Sequence, residues 1–188
     1  LFRLVGSEMC IRDSPRTESS VGSMEDYTVE YDEGMVVLDV IHKIQAEHAP
    51  DLACRWNCKA GKCGSCSAEV NGKSRLMCMT RMSDIVEETP DEEPVTIRPM
   101  QGFPLIRDLV TDTSWAYEMN KKMVPVSGPD ELDWEFNQDE ADRIQEFRQC
   151  IECMLCVNTC HVLREHEKFD EFAGPRSVSY THLTLPTT

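Results

Sequence analysis

The sequence predicts an α+β module followed by an all-α module, and three observations predict it. Alternating apolar residues at Tyr27, Val29 and Tyr31 give way to helical spacing at Val36, Val37, Val40, Ile41 and Ile44. Asn71-Gly72 sits between two short strand-like runs, a hairpin signal. From Asp139 onward the apolar residues Ile144, Phe147 and Ile151 recur at helical intervals with no strand pattern among them.

Taken in order, the strand at Tyr27–Tyr31 runs into a turn at Asp32-Glu33-Gly34. A helix follows over roughly Val37–His48 and stops before Pro50, because the residue ahead of proline is pushed out of helical geometry. Cys54–Cys66 is a loop rich in cysteine and glycine. Ser67–Val70 and Ser74–Met79 form the arms of the hairpin, and Val95–Arg98 is a further strand after the acidic run Glu87–Glu93. Together these elements imply a β-grasp-like sheet packed on one helix across residues 24–120. A Pro/Gly/Ser break near Pro125–Pro129 marks a linker, residues 121–138, and residues 139–176 form a partial helical domain. Residues 1–23 and 177–188 show neither periodicity. They look like non-native flanks, resembling translated adaptor sequence, or disordered tails.

Composition removes several function classes. With 34 acidic against 19 basic residues and a net charge of −15, the chain is poorly suited to neutralising phosphates, so no nucleic acid is expected as a partner. No apolar run reaches the roughly 18–20 residues that cross a bilayer. The first residues lack the apolar stretch and cleavage site of a secretory signal. Ten cysteines are many for 188 residues, and disulfides, zinc or iron–sulfur ligation would each account for them. They are bunched in two places, whereas disulfide frameworks tie distant loops together.

In the first bunch, Cys58-x4-Cys63-x2-Cys66 is followed by Cys78, the spacing of plant-type 2Fe–2S proteins. One loop must present three thiolates while turning its amides inward, which requires residues that tolerate positive φ. Gly61 and Gly64 supply them. Cys78 closes the set from the neighbouring hairpin arm. Lys59 and Lys62 either moderate the cluster's charge or are solvated surface groups. Cys54 falls outside the spacing and suits a small buried position. Zinc sites favour paired CxxC knuckles over a glycine-filled x4 gap.

The second bunch, Cys150-x2-Cys153-x2-Cys156-x3-Cys160, matches the bacterial iron–sulfur run. Three cysteines at intervals of three are expected on one helical turn gripping a cubane, with the fourth serving a different cluster. No cysteine follows Cys160, so the remaining ligands are expected outside this sequence. His161 stands where proline usually follows the fourth cysteine.

A 2Fe–2S module joined to a helical module with this run resembles the iron–sulfur subunits of succinate dehydrogenase and fumarate reductase, most of all their actinobacterial branch. The resemblance covers about Met24–Arg176 and includes "RWNCKAGKCGSCSAEVNG", "RLMCMTRM", "FPLIRDLVTD", "FRQCIECMLCVNTCHVLREHE" and the closing "AGPR". It implies a ferredoxin-like fold in both modules. It further implies that Cys58, Cys63, Cys66 and Cys78 bind a 2Fe–2S cluster, that Cys150, Cys153 and Cys156 bind a 4Fe–4S cluster, and that Cys160 binds a 3Fe–4S cluster. Family members begin with one more strand, which residues 1–23 are not expected to provide, so the chain looks truncated at both ends.

The resemblance implies partners as well: a flavoprotein subunit containing FAD, and membrane-anchor subunits holding quinone. Electrons would pass from the first to the second, with the chain peripheral on the cytoplasmic face of the plasma membrane. No residue is expected to do acid–base or nucleophilic chemistry. Asp108 reads as structural and Met77, Met79 and Met82 as core packing. The alternatives are a free-standing two-module ferredoxin, the iron–sulfur subunit of another oxidoreductase, and a zinc-stabilised interaction protein. Elemental analysis of anaerobically purified protein should find iron with acid-labile sulfide. Stoichiometric zinc without iron would rule out the cluster reading.

Overall fold

Helix α1 (Val37–Glu47) organises the first module because five of its residues, Val37, Leu38, Val40, Ile41 and Ile44, fall on one stripe and are all buried. Its start is set by Asp39, whose carboxylate accepts the Val36 amide at 3.3 Å and lies in the first turn, where the helix dipole favours negative charge. Its end falls at His48, whose amide reaches back to Ile44 O, just ahead of Pro50. The computed structural model describes residues 2–9, 23–90, 93–122, 138–139, 142 and 149–177.

Against α1 lies a five-stranded mixed sheet built from β1 (Phe2–Met9), β2 (Ser23–Val29), β3 (Ser67–Val70), β4 (Lys73–Leu76) and β5 (Val95–Arg98), in the order β2-β1-β5-β3-β4. Only the β1–β5 pairing is parallel. This is the β-grasp arrangement that the sequence predicts. The hairpin forms where Asn71-Gly72 directs it, with Val70 opposite Lys73 and both turn residues at positive φ. Asn71 also ties the turn down: its Oδ1 accepts Thr96 N and its Nδ2 donates to Thr89 Oγ1, both at 2.8 Å.

Four expectations are corrected here. Residues 2–9, expected to lie in a flank without a strand, form β1, paired with β2 on one side and β5 on the other. Sequence alternation holds only through Phe2-Arg3-Leu4 and then breaks at Val5-Gly6, where the register also shifts. Strand β2 spans Ser23–Val29 instead of beginning at Tyr27. The second hairpin arm ends at Leu76, so Met77–Met79 lie beyond it. Met77 and Met82 are core residues as expected, but Met79 is 58% exposed.

The chain forms other short elements that carry no strong periodic signal: α2 (Met82–Glu88), the small hairpin of β6 (Leu105–Arg107) and β7 (Val110–Thr111), and α3 (Ser114–Lys121). Asp108, at the turn between β6 and β7, is buried. It accepts Ala53 N at 2.6 Å and pairs with Arg107, which pins this hairpin to the start of the first cysteine loop.

Two short helices, α4 (Leu155–Asn158) and α5 (His161–Arg164), complete the described structure. Met154, Val157 and Leu163 pack with Met100, Phe103 and Ala116 into a second core, with Trp115 set edge-on to Phe169 at 5.0 Å. This core draws on both sides of residues 121–138, of which 123–137 lie outside the described residues. Ile144 and Phe147, expected on a helix, also lie outside them. Ser177, expected in the C-terminal flank, is buried and donates to Ala173 O at 2.8 Å.

Leu38→Ala removes a fully buried side chain from the centre of the first core. It should lower the unfolding free energy of the chain by roughly 2–5 kcal/mol in urea titration. Ile106→Ala, at a side chain 57% exposed, should change it by less than about 0.5 kcal/mol.

Candidate functional site

The first cysteine loop leaves α1 and returns to β3. Three of its residues adopt positive φ: Lys59, Gly61 and Gly64, of which sequence reasoning marks only the glycines. Those turns fold the backbone around Cys58, whose sulfur accepts the amides of Ala60 at 3.4 Å and Lys62 at 3.3 Å. The loop thus aims donors at sulfur, the polarity that a thiolate ligand needs. Cys78 comes from the turn after β4, and that turn is fixed by Met77 N to Cys66 O at 3.0 Å and by Leu38 N to Met77 O at 3.1 Å. Cys66 and Cys78 are buried against one another, while Cys58 and Cys63 are partly open.

This unequal burial separates the thiols electrostatically. The Ser65 hydroxyl, with further hydrogen bonds from the loop, lowers the Cys63 pKa to about 6. Burial pushes Cys66 up to about 11 and Cys54, which packs on the first core, up to about 12. Lys59 is not directed at the sulfurs alone. Its ammonium pairs with Asp39 at 3.6 Å, meets His42 Nδ1 at 3.2 Å and lies 5.0 Å over the Trp56 ring.

The second run is not the helical turn that its spacing suggests. Cys150 and Cys153 lie on irregular backbone, with Glu152 and Met154 both at positive φ, and only Cys156 sits on a helix, α4. Left-handed residues at 152 and 154 bend this segment away from a regular helix, and alternation of that kind is how successive amides come to face an anion. Cys156 is exposed as a residue, yet desolvation around its sulfur and then Cys153 and Cys150 push its thiol pKa up, so the three thiols act on one another. Cys160 caps α5.

Packing brings the two runs together. A Cβ at Gly64 would meet Cys153 Cα at 2.6 Å, Cys153 N at 2.7 Å and Ile151 O at 2.7 Å. Ser67 Oγ donates to Cys153 O at 2.7 Å. An open cleft of about 120 Å³ runs between the loops, lined by Cys63, Gly64 and Cys153 together with Arg55, Tyr117 and Met154. A guanidinium supports the second loop from behind: the buried Arg176 donates to Glu152 Oε1 at 2.7 Å, Asn120 Oδ1 at 2.6 Å and Ala116 O at 3.1 Å.

The residues fit iron–sulfur ligation. Two groups of thiols each lie on backbone that turns through positive φ, no disulfide joins the nine described cysteines, and glycine leaves room where the loops touch. Among the described residues no group of three or more His, Cys, Asp or Glu side chains is gathered tightly enough to hold a single metal ion.

Comparison with known proteins agrees with this class. Residues 9–118 match a 2Fe-2S iron-sulfur cluster binding domain, a span that holds β2–β5, α1 and the first loop. A chain of the Mycobacterium smegmatis Sdh1 complex in the apo form superposes with a TM-score of 0.79 at 50% identity, over 89% of this chain and 72% of that one. The fumarate reductase iron-sulfur subunit of Mycobacterium tuberculosis is 32% identical over 89% of this chain and 67% of its own length. The succinate dehydrogenase iron-sulfur subunit of Coxiella burnetii is 29% identical over 92% and 72%. The chain belongs to the family of iron–sulfur subunits of succinate dehydrogenase and fumarate reductase.

Sequence reasoning missed Glu69, Asn158, Arg164 and the role of Arg176. Glu69 alternates with Ala68 and Val70 as a solvent-facing residue of β3 would, and only the structure shows all four residues of that strand buried.

The thiol pKa values give a reactivity order for the cluster-free chain. Cys63 is mostly thiolate above pH 6, so iodoacetamide at pH 7 should modify it first, and its rate should fall as pH drops through about 6. Cys54 should stay unmodified well above pH 9. Peptide mass spectrometry reads both.

Proposed function

We propose that the chain is the electron-relay subunit of a succinate:quinone oxidoreductase. It takes electrons from an FAD-containing flavoprotein and passes them to quinone held by membrane-anchor subunits. The observation that carries this reading is the approach of the two cysteine loops at Gly64 and Cys153. Thiols that only stabilised separate modules would not need to meet. When bound, iron–sulfur clusters supply one-electron carriers whose potentials respond to hydrogen bonds and burial.

In this reading Cys58, Cys63, Cys66 and Cys78 hold the 2Fe–2S cluster. The amides of Ala60 and Lys62 are directed at the Cys58 sulfur, and burial of Cys66 and Cys78 keeps water from the inner side. Cys150, Cys153 and Cys156 serve a 4Fe–4S cluster and Cys160 a 3Fe–4S cluster. No acid–base or nucleophilic step falls to this chain, and oxidation of succinate or reduction of fumarate belongs to the flavoprotein. Residues 24–120 and 139–176 act as two ferredoxin-like modules. No helix among the described residues is long and apolar enough to cross a membrane. A peripheral position on the cytoplasmic face of the plasma membrane, docked on anchor subunits, follows from this role. Thiols awaiting iron must also stay reduced, which suits the cytosol.

Coexpression with the flavoprotein tests the reading. Succinate should reduce an EPR-visible 2Fe–2S centre in the complex. Cys63→Ser should abolish that signal, and Cys54→Ser should leave it intact. An iron-free complex, or a signal indifferent to Cys63→Ser, would defeat the assignment.

A further inference from the structure

A knot of buried polar groups joins the two modules and takes no part in ligation. Asn158 lies on α4 between Cys156 and Cys160 and is fully buried. Its Nδ2 donates to Glu69 Oε1 at 2.8 Å and to Ser74 Oγ at 2.6 Å, and its Oδ1 accepts Gly102 N at 2.8 Å. Glu69 lies on β3, three residues past Cys66, with 2% of its surface exposed. Its Oε1 also accepts Arg164 Nη1 at 2.7 Å and Gln101 N at 3.4 Å. One carboxylate oxygen therefore gathers donors from α4, α5 and the segment after β5. Arg164 balances its charge.

We propose that Asn158, Glu69 and Arg164 are positioning residues that lock the second cysteine loop against the first and so fix the gap that electrons cross. The proposal rests on the relay function and adds to it the device that sets its geometry. An apolar contact is non-directional and tolerates sliding, whereas hydrogen bonds to a buried carboxylate are satisfied in one arrangement only. The attachment also has two points. Gly64 and Ser67 meet Ile151 and Cys153 at one, and Glu69, Ser74 and Gly102 meet Asn158 and Arg164 at the other. Two points fix orientation as well as distance. The pair is half-buried, Glu69 enclosed and Arg164 reaching toward solvent, so it adds little net stability, but removing Arg164 would leave the buried carboxylate without its counter-charge, which suits a part whose task is register.

The test exchanges an amide for an acid. Asn158→Asp keeps the shape but sets a second carboxylate against Glu69. The double variant Asn158→Asp/Glu69→Gln restores a donor to that contact and returns the knot to a single carboxylate. In the full chain, hydrogen exchange of amides 149–165 should accelerate at least about tenfold in Asn158→Asp and return toward the parent rate in the double variant, while Leu38 and Val70 keep their protection. In the assembled complex, the 2Fe–2S EPR intensity should persist in Asn158→Asp. Its microwave-power saturation should shift, because the neighbouring paramagnet is no longer held at fixed distance, and should recover in the double variant. Unchanged exchange at 149–165, or faster exchange with unshifted saturation, would overturn the proposal. If the unsubstituted complex gave no cluster signal, the relay assignment would fall, and the exchange measurement alone would judge the lock.

Discussion

Two loops that each carry several thiols meet at Gly64, a residue without a side chain, and much of the structure serves that contact. A Cβ there would enter the backbone of Cys153, and φ of +68° excludes most other residues in any case. Everything that brings these loops to the same place must therefore be accurate to a fraction of an ångström. The first loop is held between α1 and β3, the turn bearing Cys78 is stitched to both, and Asp108 fastens the loop's opening at Ala53. The second loop has little regular structure of its own, and its position is borrowed from α3, β3 and the buried Arg176.

Burial and charge divide the work on the two sides of the first loop. Cys66 is enclosed by the main core, which raises the cost of charging its thiol, whereas Cys63 receives hydroxyl and amide donors that lower it. An environment graded in this way stabilises a thiolate most strongly near solvent and least at the centre. The protein is strongly acidic, yet the loop itself carries Lys59 and Lys62, and Lys59 is bound into α1 through Asp39 and His42.

What could be read in advance follows from the range of the forces involved. The cysteine spacings were legible because ligation by one compact loop is a local demand, and α1 and the Asn71-Gly72 hairpin were legible because periodicity and turn chemistry are local too. The β-grasp sheet followed from those elements. The second loop was misread as helical because intervals of three satisfy a helix and a bent loop equally, and the left-handed residues are Glu152 and Met154 instead of glycines. Strand β1 was overlooked because its alternation fails after Leu4, while its pairing with β2 and β5 uses backbone groups that any sequence carries. The polar knot was invisible for a different reason. Glu69 and Asn158 are 89 residues apart, and neither has a neighbour in sequence that announces the other.

That separation has a consequence for the order in which the protein takes shape on the ribosome. Strands β3, β4 and β5 and helix α1 all lie before residue 99, so the scaffold of the first loop can close while the second loop is still unmade. Glu69 must then wait, solvated and without Asn158, until the later segment emerges and carries it out of water. The scaffold of one thiol pocket is thus complete in sequence while Glu69 still faces water, and a short, irregular segment made later docks onto it.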